Sequence, residues 1–291
     1  MRLLITGKNS YIGNSLSDYL RFHEPKVQIT HESFKTEAWK KQNFSEYDAI
    51  FHVAGIAHSS NSKKMDDLYF KVNRDLTVEI AEKAKRENVK HFIFMSSIII
   101  FDRDNILGDN HEIDIHKNNP QNAYAQSKLE AEKILLKLEN ESFKISIIRA
   151  PMVFGPNSKG NFPKLLKISK YLRYLPNINN ERSVLYIDNL NELIRQILKS
   201  NQNGIYHPQN KRYLNTIDVI KKARLFQKKK TYSINILGKL LLVFKKNHRL
   251  RQIFGSKKIP IKMSNHFNFQ YQKVSLNEAL DNTIKAYFGV S

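Results

Sequence analysis

A tyrosine and a lysine one helical turn apart are the residues of this sequence best suited to proton transfer. Tyr124 and Lys128 stand at i and i+4 in a segment with helical periodicity, so both side chains share one helix face. A nearby ammonium group lowers the pKa of a phenol, and we expect Tyr124 to serve as an acid or base near neutral pH. An ordinary surface pair has the same spacing, and for this pair taken alone it is the better interpretation.

A serine at the end of a predicted strand adds a second polar group. Ser96 and Ser97 follow the apolar run HFIFM, which predicts a buried strand. A hydroxyl at that strand end could hold a carbonyl oxygen beside Tyr124. The alternative for Ser97 is a cap on a loop or helix.

A short turn near the N-terminus has the composition of a phosphate-binding loop. The sequence from Thr6 to Gly13 reads TGKNSYIG and links a predicted strand to a predicted helix. Gly7 permits a tight turn, and Gly13 lets the helix approach the strand closely. The free N–H groups of the helix N-terminus suit a pyrophosphate. Ser10 stands where a third glycine is usual, and an ordinary strand–turn–helix is the alternative.

Strands alternate with helices over the first half of the chain. This order predicts an α/β fold with a parallel sheet covered on both faces. A dinucleotide-binding domain is expected over residues 1–155. A smaller lobe, with some return of the chain to the first domain, is expected over residues 156–291. The predicted strands are Leu3–Ile5, Val27–Ile29, Ala49–Ala54, His91–Met95 and Ile145–Ile148, and the predicted helices cover 11–22, 63–87 and 123–140.

Composition excludes several classes of protein. The 291 residues include no Cys, which rules out disulfide scaffolds, thiolate metal sites and cysteine nucleophiles. A hydrophobic content of 41% argues against disorder. The net charge is +21, and residues 219–277 contain 15 Lys and Arg with no Asp or Glu. Such a block attracts anions such as nucleotide phosphates or an acidic lipid surface.

Taken together, these motifs resemble the extended short-chain dehydrogenase/reductase family, which contains nucleotide-sugar epimerases, dehydratases and reductases. The resemblance covers about residues 1–200 and implies a Rossmann-type doubly wound parallel sheet with a smaller C-terminal substrate lobe. It implies that Ser97, Tyr124 and Lys128 are catalytic and that residues 156–291 bind mainly the nucleotide sugar. The implied substrate contacts are Ser97, Tyr124, Asn161, Phe162 and Arg182. The implied cofactor contacts are Gly7, Asn9, Ser10, Tyr11, Ile12, Gly13, His31, Val53, Ala54, Gly55, Ala57, Asn73, Tyr124, Lys128 and Pro151.

Two departures from the family pattern refine this expectation. Sugar dehydratases of the family carry an acid pair after the catalytic Ser or Thr, and Ile98 and Ile99 stand there instead, which argues against dehydration. The end of the second strand reads Ile29-Thr30-His31, without the Asp that usually binds the NAD ribose. His31 or Lys35 could meet a 2′-phosphate. The expected cofactor is therefore NADP or NAD, with NADP favoured.

Two local strings resemble one branch of the family. Residues 160–166 (GNFPKLL) and 176–183 (PNINNERS) are similar to bacterial capsule and O-antigen reductases of UDP-4-keto-6-deoxy-N-acetylhexosamines. The expected function is NAD(P)-dependent reduction of such a sugar during surface polysaccharide biosynthesis, giving UDP-N-acetyl-D-fucosamine or UDP-N-acetyl-D-quinovosamine. One alternative is a UDP-sugar 4-epimerase with tightly bound NAD. Another is a non-catalytic NADP-sensing or scaffold protein.

The basic block has two interpretations. The apolar run 234–244 is flanked by cations, and segment 228–258 could contact an acidic membrane surface. The favoured alternative is a helix of the substrate lobe with a buried apolar face and solvated lysines. Nucleic-acid binding and a metal site are not expected, because no recognition motif or ligand spacing is present, and Phe267, Phe269 and Tyr271 alternate as in a strand. A cytoplasmic location is expected, and contact with the inner face of the membrane and a homodimer are left open.

Overall fold

The computed structural model describes residues 1–56, 63–101 and 107–289, with His248 and Arg249 described by their backbone only. A six-stranded parallel sheet forms the centre, in the order β2-β1-β3-β4-β5-β9. Its strands are β1 (Arg2–Thr6), β2 (Gln28–Glu32), β3 (Ala49–His52), β4 (His91–Ser97), β5 (Lys144–Ala150) and β9 (Gly204–Tyr206).

Helices cover both faces of this sheet, and two apolar clusters fill the layers between them. The helices of the first half are α1 (Tyr11–His23), α2 (Lys63–Tyr69), α3 (Leu76–Arg86) and α4 (Ala123–Leu138), and α6 (Ile187–Ser200) packs beside α1. The prediction of a Rossmann-type doubly wound parallel sheet with a smaller C-terminal lobe is confirmed.

Three predicted elements differ from the observed ones. Strand β2 begins at Gln28 because the N–H of Val27 bonds the carbonyl of Glu24 in a turn. Strand β3 ends at His52, since the hydroxyl of Thr6 accepts the N–H groups of the next two residues. The expected helix 63–87 is interrupted by a π-helical segment, Phe70–Asp75, between α2 and α3.

The smaller lobe is built from short elements. Leu175, Ile217, Ile220 and Phe254 of this lobe form a separate apolar cluster, whereas Phe154, Val184 and Leu280 join one of the two clusters that lie against the central sheet. Strand β6 pairs with β8, and β7 pairs with β10. The aromatics at 267–271 do not form the expected strand, because residues 267–269 have positive φ and His266–Phe269 is a 3-10 turn. The ranges are β6 (Met152–Phe154), α5 (Asn161–Ser169), β7 (Tyr174–Pro176), β8 (Val184–Tyr186), α7 (Thr216–Phe226), β10 (Tyr232–Ile234), α8 (Asn235–Val243), α9 (His248–Phe254) and α10 (Leu276–Phe288).

Helix α8 lies against the segment that follows β7. Gly238 is buried, and a Cβ placed on it would overlap the carbonyl oxygen of Asn177. The amide of Asn177 also donates to the side chain of Asn235 at 2.8 Å. Close backbone approach at Gly238 therefore fixes this helix to the lobe.

We predict that Gly238→Ala destabilises the protein. Alanine normally favours an exposed helix by about 1 kcal/mol over glycine. Here the added methyl group must displace backbone, and we expect a net loss of about 1–3 kcal/mol. Urea unfolding of the variant and the native chain measures the difference. A variant as stable as the native chain or more so would show that α8 does not pack closely on residue 177.

Candidate active site

A cavity of about 440 Å³ opens at the C-terminal ends of β4 and β5. Ser97 at the end of β4 and Tyr124 and Lys128 in the first turns of α4 line the same cavity. Asn122 positions this helix start, because its side chain accepts the N–H of Ala125 at 2.8 Å. Three sequence-predicted residues therefore meet at one site.

Tyr124 is a half-buried phenol. Its pKa is raised to about 12, mainly by burial and also by the neighbouring phenol of Tyr69, while a hydrogen bond with Ser97 opposes the rise. The ring of Tyr69 lies 5.6 Å away, centroid to centroid. The expectation that Lys128 lowers the Tyr124 pKa is wrong for this geometry, since desolvation outweighs any effect of the ammonium. Tyr124 is consequently protonated at neutral pH.

Lys128 is 5% exposed, and its ammonium is held by neighbouring groups. Its Nζ donates to the carbonyl of Met95 at 3.0 Å and lies 4.6 Å from the ring centroid of Phe94. Burial lowers the Lys128 pKa to about 8, and the charge of Glu132 acts in the opposite direction. Its proton is therefore easier to remove than that of an exposed lysine.

The serine at the end of β4 has two roles. The Oγ of Ser97 accepts the N–H of Ile99 at 3.2 Å, which is the capping contact considered from the sequence, and it also faces the cavity. Ile98 and Ile99 line the cavity with aliphatic carbon. Neither can carry a proton at this place.

The N-terminal turn has the backbone that its glycines predict. Gly7 has φ of +83°, and a Cβ there would press on the backbone of Ala54 at 3.3 Å. Ser10 is the N-cap of α1, and its Oγ accepts the N–H of Gly13 at 2.9 Å. The hydroxyl of Ser10 thus uses one of the amides at the helix start, which a glycine would leave available.

The other predicted cofactor contacts are divided between two places. Ile12, Val53, Gly55 and Pro151 line the main cavity. Asn9 and Tyr11 line an adjoining cleft with Asp188, and the Tyr11 hydroxyl is buried with no partner among the described residues. Ala57 lies outside the described residues.

His31 lies in β2, in register with Ile5 of β1. Its Nδ1 is buried without a partner in the described part of the chain. Burial lowers the His31 pKa, and the charges of Arg21 and Lys8 lower it further, whereas Asp18 raises it. The strand continues to Glu32, so a carboxylate follows His31 within the strand, which the predicted end of β2 did not include.

Asn73 fixes the loop beside the cavity and lies in the π-helical turn. Its Oδ1 accepts the N–H of Ile56 at 2.9 Å, and its Nδ2 donates to the carbonyl of Ile56 at 3.1 Å and the hydroxyl of Ser127 at 3.4 Å. A Cβ on Gly55 would lie 2.9 Å from that Oδ1. Asn73 therefore positions the cofactor-side loop, and a π turn at such a place is common near functional sites.

The predicted substrate contacts do not share one environment. Asn161 lines the cavity, whereas the side chain of Phe162 is buried in the core with its ring 4.7 Å from that of Phe154. A substrate contact by the Phe162 side chain therefore does not fit the structure. Arg182 lines the cavity and donates through Nε to Gly255 O at 2.9 Å and through Nη2 to Gln252 O at 2.7 Å. Burial lowers its pKa to about 10, which still leaves the guanidinium charged.

A buried hydrogen-bond chain below the cavity was not predicted. His52 contacts the hydroxyls of Thr6 and Thr77, each at 3.0 Å. Thr77 donates to the carbonyl of Asn73, so its oxygen must accept from Nε2 of His52, and Nδ1 accepts from Thr6. Burial lowers the His52 pKa to about 3, which keeps the ring neutral. The sequence signal was a polar residue within an apolar strand.

A buried ion pair beside Lys128 was also not predicted. The guanidinium of Arg149 in β5 donates to Glu132 of α4 through Nη2 at 2.7 Å and Nε at 3.0 Å, and Ser96 bonds the same carboxylate. Both side chains of the pair are at most 9% exposed. Among the described residues, no group of three or more His, Asp or Glu could hold a metal ion.

The family described as "NAD dependent epimerase/dehydratase family" has a model that matches residues 3–208. The chain belongs to this family. A UDP-glucose 4-epimerase of Vibrio cholerae is 36% identical over 157 residues, covering 50% of this chain and 46% of the relative. The N-acetyl-alpha-D-glucosaminyl-diphospho-ditrans,octacis-undecaprenol 4-epimerase of Escherichia coli O157:H7 is 28% identical over 203 residues, 67% of this chain and 59% of the relative. The chain described here thus spans about half the length of these relatives.

Solved structures share the fold of this epimerase/dehydratase chain over its whole length. UDP-glucuronic acid 4-epimerase from Bacillus cereus, in complex with UDP-glucuronic acid and NAD, superimposes with a TM-score of 0.76 at 16% identity and 100% coverage of both chains. RMD from Pseudomonas aeruginosa, complexed with NADPH, gives 0.69 at 14% identity and 99% coverage of both. At this level of identity the likeness extends to the fold alone.

We predict that His52 makes folding sensitive to acid. Its folded pKa of about 3 lies below the ordinary value of 6.5, so the unfolded chain binds one more proton between these values, and stability falls as pH falls through that window. The slope contributed is about 1.4 kcal/mol per pH unit. His52→Gln should reduce the slope of unfolding free energy against pH, measured by urea titration. The buried His91 and His207, also with lowered pKa values, retain part of it. An unchanged slope would remove His52 as a source.

Proposed function

We propose that this protein is an NAD(P)-dependent 4-ketoreductase of a UDP-linked 4-keto-6-deoxy-N-acetylhexosamine. The observation that carries the proposal is the meeting of Ser97, Tyr124 and Lys128 in one cavity that also reaches Ile12 of the N-terminal turn and Arg182. Reduction at C4 needs a binding site for the nicotinamide cofactor, a proton donor and a binding site for the diphosphate, and this cavity has residues suited to all three.

The protonation state of Tyr124 supports reduction rather than oxidation as the first step. A phenol with a pKa of about 12 keeps its proton at neutral pH and can give it to an oxygen that is becoming an alkoxide. Ser97 would hold the same oxygen with its hydroxyl. The nicotinamide, when bound, supplies the hydride.

Lys128 would stabilise the phenolate of Tyr124 and help to return its proton. After Tyr124 gives up its proton, a phenolate beside a buried ammonium is stabilised by the opposite charge. With a pKa lowered to about 8, Lys128 is also able to return a proton near neutral pH. The family resemblance adds a contact between this ammonium and the nicotinamide ribose.

The far end of the cavity suits a diphosphate. Lys159, Arg182 and Lys257 line it, and Asn161 stands at the N-terminus of α5. Cations and free helix amides both favour phosphate oxygens. We propose accordingly that residues 1–155 bind the dinucleotide and that residues 156–291 bind mainly the UDP-sugar.

The choice between NADP and NAD depends on the end of β2. His31, with Lys8 and Arg21 near enough to affect its pKa, supports a 2′-phosphate. Glu32 opposes it, since a carboxylate at a strand end suits the free ribose hydroxyls of NAD. Solved relatives are named in complex with NAD and with NADPH. Both cofactors are therefore carried into the assay below.

A 4-epimerase is the second candidate, because both curated relatives described above are 4-epimerases. An epimerase must first remove a hydride from C4 and a proton from the C4 hydroxyl, which requires Tyr124 as a phenolate. The aliphatic Ile98 and Ile99 argue against the dehydratases of the same family.

We predict that Tyr124→Phe removes the proton donor but leaves binding of the dinucleotide intact. Turnover should fall by about 10²–10⁴-fold, the usual contribution of a positioned acid. Binding of the dinucleotide, followed by fluorescence of the reduced nicotinamide, should persist within a few-fold. Tyr69→Phe, which keeps the neighbouring ring, is the matched control and should retain most activity. Full turnover of the Tyr124 variant would contradict its proton-transfer role.

The reductase and the epimerase differ in the fate of added cofactor. We expect NADPH or NADH to be consumed only when UDP-4-keto-6-deoxy-N-acetylglucosamine is present, with a C4 alcohol appearing in the NMR spectrum of the product. An epimerase would instead interconvert UDP-N-acetylglucosamine and its C4 epimer without net consumption. A chain that binds no dinucleotide would favour the non-catalytic scaffold and would contradict the proposed reaction.

A further inference from the structure

Helix α8 presents an apolar face to solvent. Ile236, Leu240 and Val243 follow the spacing i, i+4, i+7 and are 72%, 52% and 76% exposed. Phe244, directly after the helix, is 54% exposed. The sequence favoured a helix whose apolar face is buried, and for these four residues the structure contradicts that interpretation. Such a face in water indicates a surface that meets something else.

Cations surround the same face. Lys239 lies on α8 between Ile236 and Val243, and Lys245 and Lys246 follow the helix. All three are exposed and have no acidic partner in the described part of the chain. Elsewhere in the basic block, Lys222 pairs with Asp281 and Lys258 with Glu181. The exposed lysines at 228–230, which precede β10, likewise have no acidic partner among the described residues and add to the charge near this face.

Aromatic side chains extend the surface along β10. Tyr232 and Tyr174 are 41% and 52% exposed, and their rings lie 5.8 Å apart. The guanidinium of Arg173 lies 5.1 Å from the ring centroid of Tyr232. Tyrosine and arginine are amphipathic groups that are favoured where an apolar phase meets water.

We propose that Ile236, Leu240, Val243 and Phe244 with Lys239, Lys245 and Lys246, here called the α8 surface, bind an anionic lipid bilayer. Aliphatic side chains would enter the boundary between headgroups and acyl chains, and the lysines would meet the lipid phosphates. Charge complementarity decides for this occupant, because residues 219–277 contain no carboxylate that would repel an acidic membrane. Within the described residues, no helix has the length and apolar character needed to cross a bilayer, so this contact is peripheral.

The α8 surface is connected to the substrate end of the cavity through the chain. Helix α9 follows α8, and the carbonyls of Gln252 and Gly255 at its end hold the guanidinium of Arg182. Docking through α8 would thus hold the lobe that carries Arg182 at the bilayer. The proposal itself does not depend on the reaction, since none of the α8-surface residues is among those found to line the cavity.

Vesicle sedimentation of the full-length chain tests the proposal. We expect the protein to bind vesicles of phosphatidylcholine mixed with phosphatidylglycerol, and to bind pure phosphatidylcholine far less. Added salt should release it. Absence of binding to the anionic vesicles at low salt would overturn the proposal.

Two variant pairs separate the α8 surface from the net charge. Each cation near an anionic bilayer contributes roughly fivefold to binding, so Lys245→Gln with Lys246→Gln should weaken it by about 25-fold. The matched control is Lys63→Gln with Lys64→Gln, two adjacent exposed lysines of α2, and it should bind like the native chain. Equal weakening in both pairs would show that only overall charge matters.

The apolar contribution has its own control. Ile236→Ser, Leu240→Ser and Val243→Ser together should weaken binding to the anionic vesicles by at least about tenfold, because the apolar area that enters the bilayer is lost while the lysines remain. Phe22→Ser, which alters an 82% exposed residue of α1, should not weaken it. Circular dichroism and the thermal midpoint should match the native chain, because the replaced side chains are exposed. Sedimentation velocity without lipid tests the alternative that the α8 surface binds a second copy of this chain. Self-association that disappears in the triple variant would assign the face to a second copy and overturn the proposal.

Discussion

Burial of the Lys128 ammonium is the constraint on which the site depends. A cation removed from water is tolerated only where oxygens accept its protons, and the carbonyl of Met95 does so at 3.0 Å, with the ring of Phe94 adding its negative face. Because Met95 belongs to β4 and Lys128 to α4, this bond helps to hold the helix against the strand. Ser97, at the end of this strand, and Tyr124, in the first turn of this helix, therefore line the same cavity. The same burial that raises the Tyr124 pKa makes the proton of Lys128 removable.

A second buried charge lies one helical turn further along α4. Glu132 bonds Arg149 of β5 and the hydroxyl of Ser96 in β4, so one carboxylate ties the helix to two neighbouring strands. A buried ion pair contributes little net stability, but loss of either partner leaves an unpaired charge and costs about 3–5 kcal/mol. Its consequence here is positional, since Ser96 precedes Ser97 in the chain. Directional hydrogen bonds of polar groups thus fix the position of α4 relative to β4 and β5, whereas apolar contacts alone would allow several positions.

Sequence reasoning located the parts of the site that depend on local order. The apolar run before Gly7 and the helical spacing of Tyr124 and Lys128 are local, and the expected elements formed there. The Tyr124 pKa could not be predicted, because it depends on burial by chain that is distant in sequence. Nothing in the composition of residues 70–75 distinguishes a π turn from an α-helix, so the loop contact of Asn73 was missed. Phe162 was assigned to substrate binding by its place in a motif, but its aromatic ring is buried in the hydrophobic core.

The exposed face of α8 illustrates the same limit from the other side. Ile236, Leu240 and Val243 have the spacing of a buried stripe, and spacing alone does not reveal which way a helix is turned. Gly238 decides the orientation, because it lets the helix backbone approach Asn177. Turning the helix about its axis to bury the aliphatic side chains would carry Gly238 away from that contact and bring a bulkier side toward the backbone. Close packing at a glycine on one side therefore requires the apolar residues on the other to face outward.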